Sequence, residues 1–315
     1  MAASVLVIGE ILVEIMATEI GQTFRTPGLF AGPYPSGAPA IFADQAAHTG
    51  ASTAMIGCVG PDDFGTLNIE RLRASGVDVR GIRRIAGSTT GIAFVTYRAD
   101  GGRDFIFTIP SSASAALRSA QLEPGQFAGC RWFHLMGSSL FSAEIAKAAR
   151  RGVALARAAG ARISFDPNIR KELLGLPEVA ATIEEILSLS DLLLPSEDDL
   201  AYLMPGLGER EAIARLLEAG RSMVVLKKGV RGASLHSAGL DVAMPSFAVD
   251  EVDPTGAGDC FGGTFVGCLA QGIAPERALR LATAAGALAV TRKGPMEGNS
   301  TMAELETFLG RHGHG

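Results

Sequence analysis

The chain of 315 residues contains no run of 18 apolar residues, so no membrane-spanning helix is expected. It has no G-x-x-x-x-G-K-[ST] phosphate loop, no G-x-G-x-x-G dinucleotide fingerprint and no H-E-x-x-H pair. Its four cysteines, Cys58, Cys130, Cys260 and Cys268, form no C-x-x-C pair, and the spacing of the last two fits no usual zinc site. Reduced thiols in the cytoplasm are the simplest account of them. Five scattered histidines suggest no ligand set either. Basic residues are too few for a nucleic-acid surface: 28 Lys and Arg against 33 Asp and Glu leave a net charge of −5. A small polyanion is not excluded, because a local pocket can be positive on an acidic protein. The opening stretch, MAASVLVIGEILVEIMA, lacks a basic start and carries Glu10 and Glu14 within its apolar run. It reads as a first buried strand rather than a signal peptide.

What is present is a hydrophobic content of 47% arranged in a strict rhythm. SVLVIG, STAMIGCVG, RWFHLMG, RISFDPN, DLLLPS and SMVVLKKG read as buried strands. Helical stretches such as AIFADQAAHTG, AEIAKAARRGVALARAAG and EREAIARLLEAG lie between them, and several end at a capping glycine, at Gly50, Gly76, Gly160 and Gly220. The alternation predicts one α/β domain over residues 1–315, with a mostly parallel sheet covered on both faces. Sites in such sheets gather at the carboxyl ends of the strands. Two stretches break the rhythm. Ala17 to Gly37 has turn residues and no helical period, and Thr89 to Pro110 has the pattern of a hairpin around Asp100-Gly101-Gly102. Together they predict a small sheet, about residues 12–36 and 88–110, that forms a lid; an extra antiparallel edge of the main sheet is the alternative.

The chemistry concentrates in DPTGAGDCFGG, Asp253 to Gly263, just before an apolar helical run. Amides at a helix start point outward, the dipole favours an anion there, and glycines admit a phosphate close to the backbone. Asp259 then falls in the first turn. A carboxylate there repels a phosphate unless it accepts a proton from the hydroxyl that attacks it. Two alternatives stay open on these residues alone: a phosphate nest with its base, or glycines kept for close packing beside an acid that complements the dipole.

D-P-T-G-A-G-D-C-F resembles the C-terminal signature of the ribokinase-like (PfkB) carbohydrate kinases, and the resemblance extends over nearly the whole chain. It implies a three-layer α/β/α fold with a small β-sheet lid. It also implies an ATP-dependent kinase in which Asp259 is the base and Gly256, Ala257 and Gly258 hold the transferring phosphoryl group. SGAPAIF, from Ser36, is similar to the family's first signature, with Gly37 and Ala38 at the sugar; Ser36 replaces a glycine and Ile41 an asparagine. Glu14 stands where relatives carry an aspartate that grips sugar hydroxyls. FDPNIRKEL implies Asn168 and Arg170 near the transferring group, with a strand-end turn as the alternative.

In LLLPSEDDLAYL, Ser196 and Asp199 resemble a segment that organises hydrated Mg²⁺ beside the nucleotide, and the same residues also make a capping pair. The resemblance places Lys227, Gly229 and Gly232 along ATP, although exposed lysines at a strand end would read the same way. Thr283 falls on the adenine-side helix, and Asp253 and Thr255 match a monovalent-cation (K⁺) site. Acid-sugar kinases of the family bring an Arg from the hairpin, for which Arg98 or Arg103 is the candidate. The acceptor expected is a neutral ketohexose such as tagatose or fructose. The alternatives are 2-keto-3-deoxygluconate, a nucleoside stacked among Phe30, Tyr34 and Phe107, or a sensing relative without turnover. A homodimer through the lid is expected from its exposed strand edges.

Overall fold

The structure, a computed structural model, describes residues 3–169 and 177–312. The chain begins with β1 (Val5–Ile8), then leaves the main body for β2 (Leu12–Ile20) and β3 (Phe30–Ser36). It returns through α1 (Ala38–His48), β4 (Thr53–Val59), α2 (Asp63–Ala74) and β5 (Asp78–Arg84). The hairpin of β6 (Gly91–Tyr97) and β7 (Arg103–Phe107) follows, and then short 3₁₀ turns through Phe127. The second half runs β8 (Trp132–Met136), α3 (Ala143–Ala158), β9 (Arg162–Asp166), α4 (Pro177–Leu189) and β10 (Leu192–Leu193). It continues with α5 (Glu197–Leu203), α6 (Glu209–Glu218), β11 (Met223–Lys227), β12 (Ala233–Ser237) and β13 (Leu240–Met244). The last helices are α7 (Ala257–Ala270), α8 (Pro275–Ala289) and α9 (Met302–Arg311).

Nine strands form the main sheet in the order β13-β12-β11-β10-β9-β8-β1-β4-β5, parallel except for β12 and β13 at one edge. Both faces are buried, as the continuous apolar runs predict. Successive residues of β1 divide between two cores: Val5 and Val7 pack with α1, α7, α8 and α9, whereas Leu6 and Ile8 pack with α3, α4 and α6. The glycines at 50, 76, 160 and 220 all take positive φ just past their helices. All four cysteines are free and buried, and burial pushes their thiols up, to about 11 at Cys58 and Cys130 and about 12 at Cys268. They are inert at neutral pH. Among the described residues no helix is long and apolar enough to cross a membrane.

The two irregular stretches form a separate four-stranded sheet, β3-β2-β6-β7, and not an edge of the main one. Its central pair, β2 and β6, is parallel, with antiparallel partners on either side. Leu12 and Glu14 of β2, Ala93 of β6, and Arg103, Phe105 and Phe107 of β7 line one wall of a cavity. They are alternate residues along each strand, as the two-residue period of a strand requires.

Candidate active site

That cavity, of about 670 Å³, lies between the small sheet and the carboxyl ends of the main strands. Its floor comes from residues just beyond β1 (Glu10), β8 (Ser138), β9 (Asn168), β10 (Ser196) and β11 (Gly229) and from the start of α7. A second cleft, of about 490 Å³, opens beside it between the β12–β13 edge, α7 and α8, and is walled mainly by apolar residues. The two share Lys227, Gly229, Pro254 and Gly258.

Gly256 caps α7 in the left-handed conformation, φ 79°, and a Cβ there would sit 2.5 Å from the Pro295 carbonyl oxygen. A left-handed residue leading into a right-handed helix turns successive amides toward one point and makes an anion nest. The first helical amides have no acceptor within the helix, and the Ala257 amide is engaged only by a long bond of 3.5 Å to the Pro254 carbonyl. Asp259 follows in the first turn and lines the cavity. Other glycines of the stretch have a different task. A Cβ on Gly263 would lie 2.4 Å from the Phe42 carbonyl oxygen, so its bareness lets α1 pack closely on α7. The glycines of the stretch thus divide between the left-handed helix entry at the cavity and the close packing of α1 on α7.

Acids dominate the end of the cavity beside the small sheet. Glu14 is buried, and its Oε1 accepts the Ser36 hydroxyl at 2.6 Å. Two of the departures from the family pattern therefore touch: the serine orients the longer acid. Glu10, which sequence reasoning did not single out as a site residue, is buried in the same cavity. It accepts hydrogen bonds from Ser138 (3.2 Å) and Ser139. The signal available was an acid within an apolar run at a strand end.

The junction of the two cavities turns on Lys227. Its side chain is only 16% exposed, and its Nζ lies 2.5 Å from the buried Asp166 Oδ2. Burial alone would lower its pKa, but the carboxylates of Asp166, Asp199 and Asp259 outweigh that and hold it above the ordinary lysine value. Asp199 Oδ2 accepts both the amide and the hydroxyl of Ser196, at 2.8 and 2.7 Å, and its Oδ1 accepts the Ile169 amide at 2.8 Å. It closes the capping box of α5 and ties that helix to the turn after β9. In that turn Asn168 takes φ 34°, a conformation sparsely populated by residues other than glycine, while its amide donates to Asp166 Oδ1 at 3.2 Å. Gly232 and Thr283 line the second cleft, with the Thr283 hydroxyl donating to the Leu279 carbonyl at 2.9 Å. Asp253 is buried and its carboxylate accepts the amides of Thr255 (3.1 Å) and Gly294 (2.9 Å).

The model of the pfkB family carbohydrate kinases matches residues 2–302. The chain belongs to that family. It is 33% identical to fructokinase-1 of Oryza sativa subsp. japonica, over 94% of each chain. Among solved structures it resembles the Escherichia coli protein given the provisional name ribokinase II, in complex with ATP and Mg²⁺, with a TM-score of 0.94. That pair is 50% identical over 98% of this chain and 100% of the other. The fructokinase of Vibrio cholerae O395, a double mutant bound to fructose, ADP and potassium ion, aligns with a TM-score of 0.85 and 26% identity over 98% and 99%.

Of the residues expected at the site, Glu14, Gly37, Ala38, Asn168, Ser196, Asp199, Lys227, Gly229, Thr255, Gly256, Gly258 and Asp259 meet in the first cavity. Ala257, Gly232 and Thr283 border the second cleft. Arg170 lies outside the described residues. Arg98 is a correction: it lies past the end of β6, half-exposed, paired with Asp100 at 3.2 Å and Asp104 at 2.8 Å at the hairpin tip. Arg103, directly across from Tyr97, is the arginine that reaches the cavity.

Proposed function

We propose that this carbohydrate kinase transfers the γ-phosphoryl group of ATP to a terminal hydroxyl of a neutral ketohexose such as fructose or tagatose. The observation that carries the proposal is one cavity with Glu10, Glu14 and Asp259 around it and the Gly256–Gly258 nest at its end. Carboxylates accept hydrogen bonds from several sugar hydroxyls and repel an anionic acceptor. Among the described lining residues the cations are Lys227 and Arg103, paired respectively with Asp166 and with Thr255. Phe105 and Phe107 face the cavity but stack on each other with centroids 5.2 Å apart, too close to admit a nucleoside base between them.

In this reading Asp259 takes the proton of the attacking hydroxyl. The new P–O bond forms to the sugar oxygen as the bond to the leaving ADP breaks, and the nest amides hold the charge on the transferring oxygens. Mg²⁺ keeps its waters and binds mainly through substrate phosphates, so it needs few protein ligands. Asp199 would hold it through water, and the ion would neutralise phosphate charge. Asp253 and Thr255 would frame a monovalent cation such as K⁺. Closure of the small sheet as a lid would exclude water, the competing acceptor.

The outer face of the small sheet supports a homodimer. Ile106 is half-exposed there, Ile20 at the end of β2 and Leu29 just before β3 are 75% and 73% exposed, and a second copy would cover them and the free strand edges. Sedimentation showing only monomer at micromolar concentration overturns this. The cytoplasm is the setting that buried, unpaired thiols suit. An ADP-release assay across fructose, tagatose, ribose, 2-keto-3-deoxygluconate and adenosine tests the substrate. Ketohexoses should have the highest kcat/KM; a preference of about tenfold or more for the acid sugar or the nucleoside, roughly 1.4 kcal/mol, would exclude the proposal.

A further inference from the structure

The small sheet touches the entry to α7 through one opposed pair of residues. Tyr97 and Arg103 face each other across the β6–β7 register. The Tyr97 hydroxyl donates to Asp253 Oδ1 at 3.4 Å, and the Arg103 Nη1 donates to Thr255 Oγ1 at 2.9 Å. Their two acceptors flank Pro254 and lead directly into Gly256. Behind that turn, Asp253 Oδ2 accepts the Gly294 amide, and the Pro295 carbonyl packs against the bare Cα of Gly256. The segment that backs the nest reaches the small sheet a second time, through Lys293 Nζ and the Ala17 carbonyl at 3.4 Å. Burial, together with the Asp253 and Glu14 carboxylates, raises the Tyr97 pKa, so its hydroxyl remains a donor throughout the working range.

We propose that Tyr97 and Arg103 are positioning residues that latch the small sheet onto the Asp253–Thr255 turn, so that closure over the acceptor and the shaping of the phosphate nest occur together. The side chains of Asp253 and Thr255 set the backbone path into the left-handed Gly256. Gripping both from the hairpin fixes the direction of the amides at residues 256–258. With the sheet open, the grip is absent and the nest is not held in the geometry the transition state needs, which protects ATP from water. Arg103 acts here through Thr255 rather than by reading a carboxylate on the substrate. The inference rests on the sugar-kinase reading above and adds to it a coupling between its two halves.

The test uses the full chain with ATP, Mg²⁺ and fructose or tagatose. Arg103→Met should lower kcat about 10- to 100-fold, the scale of a small misplacement at the reacting centre, while the sugar KM moves less than about threefold. Thr255→Val should do the same, and the double variant should be no slower than the slower single one, because both remove one contact. Arg103→Lys should restore part of kcat. Tyr97→Phe removes one hydroxyl and gives the same kcat-weighted pattern if Arg103→Met does not fold. Hydrogen exchange of the 253–258 amides should speed up in Arg103→Met at unchanged Tm, a readout that needs no turnover. A rise in sugar KM with kcat maintained, additive losses in the double variant, or unchanged exchange overturns the latch. If the wild-type chain phosphorylates no neutral sugar, the sugar-kinase reading falls, and the exchange measurement still decides the latch.

Discussion

The two cavities that meet at Lys227 and Gly258 are built on opposite principles. The first is lined by acids, serines and a strained Asn168, and takes one wall from a sheet tied to the core by a few polar contacts. The second is walled by Phe261 of α7, Ala287 and Val290 at the end of α8, and Phe247 and Val249 of the segment after β13. A polyol offers hydroxyls in a fixed stereochemical pattern, so recognising it needs directional acceptors. A planar base offers a large apolar face, so burial suffices. Under the proposed function, phosphoryl transfer would take place where the two chemistries overlap, at the seam that holds Lys227 and Gly258.

Removing the proposed base, Asp259, should have the largest effect. Asp259→Asn keeps size and hydrogen bonding but cannot take a proton, and turnover should drop about 10²- to 10⁴-fold with ATP affinity retained. Activity within a few-fold of wild type in the coupled assay removes Asp259 as base. Lys227→Met comes next, because it strands the buried Asp166 carboxylate. Breaking such a pair costs about 3–5 kcal/mol, which thermal unfolding should register as a drop of several degrees. Adding Asp166→Leu should recover the stability but not the activity. Recovery of both would make the pair purely structural and erase the seam as a functional feature.

The contrast also marks what the sequence could tell. The main strands were legible because a strand buried on both faces is apolar nearly throughout, as in VLVI. The nest was legible because it needs residue types that a helix start otherwise avoids. β5 escaped notice, since DVRGIRR lies at the sheet edge and keeps its polar residues in water. The turns between Ile109 and Phe127 have no period to detect. Partnerships were the hardest to see. Lys227 reads like any strand-end lysine until a carboxylate 61 residues away is placed beside it. Ser36 and Glu14 looked like two separate departures and are one contact.

The division of labour between the cavities is tested by a crossed pair of variants. Glu14→Ala removes a charged acceptor worth about 1.5–3 kcal/mol, so the sugar KM should rise about 10- to 100-fold while the ATP KM holds. Gly286→Leu acts on the other side. A Cβ there meets nothing nearer than 3.6 Å, and leucine is a better helix former than glycine, so α8 should fold with the side chain projecting into the second cleft. The ATP KM should rise about tenfold, a loss of roughly 1.4 kcal/mol, with the sugar KM within a factor of two. If either variant shifts both constants equally, the cavities are not independent and the contrast drawn between them is wrong.

The smallest effect sharpens the comparison within the hairpin itself. Arg98 and Arg103 are five residues apart and carry the same charge, yet one pairs with acids at an exposed tip and the other grips the nest turn. Exposed ion pairs of the first kind contribute little, because water and salt screen them and long side chains lose freedom in making them. Arg98→Ala should therefore leave both KM values and kcat within about a factor of two, and Tm nearly unchanged. The hairpin's right-handed twist and its register, rather than its charge, would then decide which arginine matters. A loss of activity in Arg98→Ala comparable to that of Arg103→Met would mean that the tip itself moves onto the substrate, and the assignment of the cavity wall to alternate residues of β7 would have to be redrawn.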